Sequence, residues 1–188
     1  MGFRIEDGKG DGNLAHVDSN NRLSTIAVSF DLFIAASDDG DAFTICTDFI
    51  SLTTTSTEHG ILYVYNNHPT DRIHLAPINV SSDSNMVKWK LYKNPTTGTL
   101  ISAGTDVTPT NINFSSGKSF IGTTKKGSNG STVTNGTLVG CLSSTYFNEI
   151  DSTHAVILER GNSIAITAEV SATTVVAITL PLFFHYHS

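Results

Sequence analysis

Val87-Lys88-Trp89-Lys90-Leu91-Tyr92-Lys93 alternates apolar and polar side chains along one short run. A period of two puts Val87, Trp89 and Leu91 on one face of an extended chain; Lys88, Lys90 and Lys93 lie toward water, with Tyr92 between them. The run predicts a half-buried strand. Asn94-Pro95-Thr96-Thr97-Gly98 follows as a turn, in which proline presets φ and glycine permits a positive φ. Thr99 to Ala103 is then expected to return as the partner strand.

Working outward, the same grammar recurs. Ile61 to Tyr65 is a short apolar run between Gly60 and Asn66-Asn67, the mark of a buried strand. Ala42 to Leu52 places Phe43, Ile45 and Thr47 on one face, with Phe49 continuing it. Arg72 to Val80 alternates around Pro77, which implies an edge or a bulge. Leu138 to Leu142, Ala155 to Leu158, Ser163 to Val170 and Thr174 to Phe184 complete the apolar series, and Arg22 to Phe30 begins it. Val107 to Phe114 is a weaker extended stretch. Ser115 to Gly136 is a long polar connection with one short strand expected around Phe120-Ile121, and Tyr146 to Ile150 is expected to form a single turn at most. No stretch keeps a helical period with good helix formers over the roughly 12 residues an independent helix needs. The chain is therefore expected to be all-β: a β-sandwich or jelly roll of about eight to ten antiparallel strands. Trp89, Tyr63, Ile164 and Ile178 are expected to share its core. Residues 1–21, rich in Gly, Asp and Asn, form an extended N-terminal arm; residues 22–188 form the sandwich.

Hydrophobic residues make up 39% of the 188 and charged residues 15%, a charged share below the usual quarter or so of a soluble domain. Ser, Thr, Asn and Gly fill the difference, as suits β-rich proteins and assembled particles. A net charge of −6 argues against a nucleic-acid partner, which calls for a basic footprint. No Lys or Arg occurs from Leu23 to Asp71, whereas Arg72, Lys88, Lys90, Lys93, Lys118, Lys125 and Lys126 follow. Two solvated faces, or complementary patches on neighbouring copies, would each explain this asymmetry.

Chemistry is harder to find. Asp7-Gly8-Lys9-Gly10-Asp11-Gly12 with Asp18 loosely mimics a calcium loop, but Lys9 stands where a ligand oxygen belongs; a flexible acidic turn is the plainer reading, and Ser37 to Asp41 is similar. His185 and His187 share a face at strand spacing, yet a metal site needs three or four ligands. Most carboxylates fall in turns, and no nucleophile elbow or phosphate loop occurs. Cys46 and Cys141 sit in apolar runs and are expected to be free and buried. The expectation is no catalytic residue, no cofactor and no metal. Neither a secretory h-region, a myristoylation pattern nor a membrane-length apolar run is present, so no membrane partner is expected, and synthesis in a cytoplasm is.

Lys93-Asn94-Pro95-Thr96-Thr97-Gly98-Thr99-Leu100-Ile101-Ser102-Ala103-Gly104 resembles a module recurrent in virion structural proteins of tailed bacteriophages. So do Ile5 to Gly12 with Ala15 to Leu23, and Gly40-Asp41-Ala42-Phe43 leading into Ile50-Ser51-Leu52-Thr53. The turn-rich segment from Asn111 to Gly136 and the strand Leu138-Val139-Gly140 share the resemblance. It implies a β-sandwich particle component with its arm reaching onto a neighbour, and no active-site residues. Capsid decoration (cement) is the leading role, with neck, tail or head-fibre components as alternatives. The implied partners are the chain itself, as a homo-oligomer such as a trimer, and another virion protein such as the major capsid protein. Ile5, Asp7, Lys9, Asp11, Leu14, Val17 and Arg22 of the arm, with Lys88, Lys90 and Lys93 of the sandwich, are the expected contact residues. A carbohydrate-binding host-attachment module, holding a host glycan on an exposed aromatic row, is one rival, and a hydrolase of host polysaccharide, with a two-carboxylate cleft around Glu149, Asp151 or Glu159, is the other.

Overall fold

A computed structural model of the chain describes residues 16–17, 23–24, 32–83, 85–150 and 156–185. The chain divides into two units, residues 1–31 and 32–188. In the first, β1 (His16–Val17) pairs antiparallel with β2 (Leu23–Ser24). The second is all-β but for two short helices.

Its elements run α1 (Leu32–Asp38), β3 (Ala42–Cys46), β4 (Ile50–Leu52), β5 (Glu58–Tyr65), β6 (Arg72–Leu75), β7 (Ile78–Ser82), β8 (Val87–Lys93), α2 (Thr99–Ala103), β9 (Thr105–Asp106), β10 (Thr110–Asn111), β11 (Thr123–Lys126), β12 (Thr137–Ser144), β13 (Phe147–Ile150), β14 (Ile157–Leu158), β15 (Ser163–Val170) and β16 (Thr174–His185). Every pairing is antiparallel. Sheet I is organised by the 12-residue β16, whose first half pairs with β4 and β7 and whose second half pairs with β3 and β6. β10, β13 and β14 extend it. Sheet II has the order β12-β8-β15-β5-β11-β9.

The inner faces meet in one core containing Phe43, Ile45, Leu62, Val64, Trp89, Ile164, Ile166, Ile178 and Leu180. Trp89 is fully buried, as the alternation of β8 requires. Burying these side chains contributes roughly 1.5–3 kcal/mol each, which is what holds the two sheets together. Tyr63 departs from expectation: it lies on the other face of β5 and packs with Leu100 and Ala165 in a second, smaller cluster.

That cluster explains the main correction to the predicted strands. Thr99 to Ala103 forms α2, not a partner strand. Gly98, at φ 128°, turns the chain, and Leu100 drops into the outer face of sheet II, where it is fully buried. Gly60 leaves room for it; a Cβ there would stand 2.9 Å from Leu100 Cδ2. Lys125 Nζ donates to the Ile101 carbonyl across 2.7 Å and secures the helix end. A five-residue stretch is too short for its period to be read, so a tertiary pocket decides its state.

Other corrections are local. The expected 42–52 run breaks at Thr47, whose buried hydroxyl accepts the Ile178 N–H at 3.0 Å; Asp48 adopts φ 57° and Phe49 is thrown outward, exposed rather than in line with Phe43. Phe120-Ile121 is not a strand. Phe120 packs against Phe43 and Phe184, and the strand is β11, two residues on. Phe147–Ile150 is strand β13 rather than a turn. Ile157 is exposed while Leu158 is buried. Cys46 and Cys141 are free, as expected, but exposed.

Candidate protein-docking surface

The outer faces of the two sheets are built differently. On sheet II, alternation along β5, β8 and β15 turns Glu58, Lys88, Lys90 and Glu169 outward, and the register sets Glu169 beside both Lys88 and Glu58. Lys88 Nζ lies 2.8 Å from Glu169 and Lys90 Nζ 2.5 Å from Glu58; Thr167 donates its hydroxyl to Glu58 at 2.7 Å. Burial works to raise the Glu58 pKa, but hydrogen bonds from Lys90, Thr167 and Tyr92 outweigh it and hold the carboxyl below its ordinary 4.5. The Lys90 ammonium is raised, chiefly by its hydrogen bond to Glu58. Next to this lattice, α2 covers Tyr63 and Ala165.

On sheet I, α1 covers one end of the outer face, where Ala36, Ala42 and Phe183 cluster with Phe33 and Ile112. Beyond that cover the register lays out rows that no other described residue covers. Asn79, Thr179 and Cys46 stand side by side with Glu149 at the β13 end. Phe147, Ser81 and Ala177 form the next row, and Val175 with Ser51 the one after. Among the described residues charge enters these rows only at their margins, in Glu149 at the β13 end and in exposed Asp83, whose carboxylate accepts the Val175 N–H at 3.1 Å. A solvated antiparallel face ordinarily alternates strongly polar residues outward; small uncharged ones instead give a surface that costs less to desolvate than a charged one.

This face runs into an apolar corner. The Ser82 N–H donates to the Tyr146 carbonyl at 2.9 Å; the Ser82 hydroxyl accepts the Tyr146 N–H at 3.1 Å and donates to the Asn85 carbonyl at 3.2 Å. One buried serine thus ties Tyr146 to Asn85. Three large apolar side chains emerge around it: Met86, 57% exposed, Tyr146, 63%, and Phe147, 69%. Single exposed hydrophobics are ordinary, but a grouped set beside an uncharged sheet face marks an interaction surface.

Of the sequence-predicted contact residues, Ile5, Asp7, Lys9, Asp11, Leu14 and Arg22 lie outside the described residues, as does the calcium-like loop. Val17 lies in β1, opposite Leu23. Lys88 and Lys90 are brought together, but their charges are taken up by Glu169 and Glu58 within the same subunit. Lys93 is exposed at the strand end. The corner and the open rows were missed. The signal available was Leu138 to Phe147, where apolar residues continue past the point at which one buried face could use them.

Two clefts are also present. One, about 380 Å³, is lined by Asp41, His68, Asp71, Lys118 and Phe184. Lys118 Nζ sits 2.8 Å from both Asp41 carboxylate oxygens, which answers the acidic turn of residues 37–41. His68 Nδ1 accepts the Asp71 N–H at 2.9 Å, and Nε2 faces the Asp71 carboxylate at 3.5 Å, so both ring nitrogens are engaged by Asp71. The other, about 360 Å³, contains Cys46, Asp48 and Asp106, with Asp48 paired to Lys126 at 2.8 Å. Glu159 is held by Arg72 at 2.7 Å. Among the described residues no three His, Cys, Asp or Glu side chains are grouped to hold a metal ion, and no helix is long and apolar enough to cross a membrane. His187, the second member of the C-terminal histidine pair, lies outside the described residues. No protein-family model, curated protein or solved structure matches the chain.

Proposed function

We propose that the chain is a non-enzymatic structural subunit of a virion, of the capsid-decoration (cement) kind, which acts by docking onto copies of itself and onto another virion protein. The observation that carries this reading is the outer face of sheet I, which among the described residues is uncovered beyond α1, carries charge only at its margins and is bounded by Met86, Tyr146 and Phe147. A stable interface takes about 800 Å² from each partner and concentrates its energy in aromatic and Met anchors. The sheet supplies a rigid platform and the corner supplies the anchors. The phage-like modules around residues 93–104, 5–23 and 40–53 point the same way. Neck, tail and head-fibre parts make the same physical demands of a sandwich face. The subunit, made in a host cytoplasm, would join the particle there, and the 1–21 arm would add contacts by linkage.

The test is incorporation into particles. Thr179→Lys places a charge in the middle of the open rows, and removal of residues 2–21 takes away the arm. Loss of incorporation with an unchanged fold supports docking. Normal incorporation of both, with full particle strength, rules it out. Binding of a host glycan by the isolated chain, abolished by Tyr146→Ala, would favour the attachment-module reading instead.

A further inference from the structure

We infer that two copies pair edge to edge through β12, antiparallel about a two-fold axis close to Cys141. The inference rests on the assembly reading above and supplies one of its contacts.

Among the described residues, β12 closes sheet II and has a single neighbour within it, β8. Alternate N–H and C=O groups along its free side therefore have no sheet partner, which makes such an edge a template for another strand. Proteins guard these edges with charge, proline, shortness or a bulge. β12 is eight residues long, reads TLVGCLSS and carries neither a charge nor a proline. A register shift between Leu138 and Gly140 is its only guard, and the stretch from Gly140 to Ser144 stays in register with β8. The bulge also turns Leu138 onto the outer face opposite Tyr92, and Leu138 and Val139 are 51% and 52% exposed. The nearest cations, Lys90 opposite Cys141 and Lys88 opposite Ser143, are neutralised by Glu58 and Glu169. Lys93, exposed opposite Thr137, stands at the end of the strand, so a second copy meets no uncompensated like charge at the two-fold axis itself.

The occupant follows from where the apolar side chains sit. Leu138 and Val139 begin the strand; Tyr146 and Phe147 follow its end, with Met86 alongside. Antiparallel pairing about Cys141 places Val139 of one copy across from Ser143 of the other, and the bulge leaves Leu138 on the outer face just beyond that pair. The leading apolar pair of each copy then lies beside the trailing corner of the other, twice over by symmetry. A single foreign strand would cover these groups once and leave its own ends unmatched. Gly140 would face Leu142 of the other copy, and the space at Gly140 is open: a Cβ there would find only Leu91 Cβ, at 3.9 Å. The contact is isologous and closes at two, so the uncharged edge is used up instead of propagating into a fibre.

Sedimentation velocity on the full chain tests this. The wild type and Val139→Thr, which stays β-branched and uncharged, should sediment at twice the chain mass. Val139→Lys should fall to the monomer mass with an unchanged unfolding midpoint. Should that variant fail to fold, Ser143→Lys, at the other end of the same cross-strand pair, should give the same halving. A short thiol-to-thiol cross-linker should trap the dimer in Cys46→Ser and fail to trap it in Cys141→Ser. An oligomer that survives both lysine variants, or one that cross-links through Cys46, overturns edge pairing and leaves the assembly reading standing. A monomeric wild type overturns edge pairing too, and the assembly reading then stands or falls on particle incorporation alone.

Discussion

The two outer faces of one sandwich show two ways to finish a β-sheet. Sheet II finishes itself. Its charges are paired across strands and α2 fills the remainder, with Leu100 as the plug. Among the described residues sheet I is finished only at the α1 end, and its rows through Asn79, Thr179, Cys46, Ser81 and Ala177 carry charge only at their margins, in Glu149 and Asp83. Both faces share one core, so stability alone does not explain the contrast. The lesson is that the satisfied face serves the fold, while the unsatisfied one is available to another molecule.

That contrast can be broken most severely by stripping the covers. Phe183→Ala removes the anchor beneath α1 and should cost about 3–5 kcal/mol, and Leu100→Ala, beneath α2, about 2–5 kcal/mol, in urea unfolding of the purified chain. If either change costs much less, the cover is ornamental and the two faces differ less than described. Gly98→Ala should follow at about 1 kcal/mol or more, because φ 128° is strained for any side chain and a Cβ would stand 2.2 Å from the Thr132 carbonyl oxygen.

The ion-pair lattice has a smaller and pH-dependent effect. Glu58→Gln should cost about 0.5–1 kcal/mol near neutral pH, since the pair is partly exposed and screened. The folded-state pKa of Glu58 lies below its ordinary 4.5, so its contribution is complete above 4.5 and fades as the pH falls through the lower folded value. The unfolding free energies of wild type and E58Q should therefore converge in acid. A gap that widens there would mean the carboxyl is not held down by its neighbours. Smallest in stability is Thr179→Lys, expected within about 0.5 kcal/mol of wild type, although the same change should abolish incorporation into particles. A matching lysine on sheet II, such as Thr167→Lys, should disturb the Glu58 pairing and stability before it disturbs assembly.

Much of the architecture is visible in the chain itself. The alternation of β8 fixes which side of Trp89 faces inward, and the apolar runs of β5, β15 and β16 locate the central strands. Where reading fails, the segments are short or their state depends on a distant residue. Thr99 to Ala103 becomes helix because Leu100 finds a pocket that Gly60, nearly 40 positions earlier, leaves open. Phe49 leaves the core because Thr47 takes over the Ile178 N–H. Tyr63 is apolar enough for either face, and only the arrival of α2 makes the outer one dry. The docking surface was less legible still. Lys88, Lys90 and Lys93 stand out in a charge-poor chain, but their partners lie on β5 and β15, far away in sequence.

By itself, the sequence determines an all-β chain, the inward face of its clearest strands and a surface poor in charge, because a two-residue period and composition are local properties. Only the tertiary structure decides which of those surfaces is left over. An edge or a face is open or covered according to which strand pairs beside it and what folds across it, and those neighbours come from elsewhere in the chain.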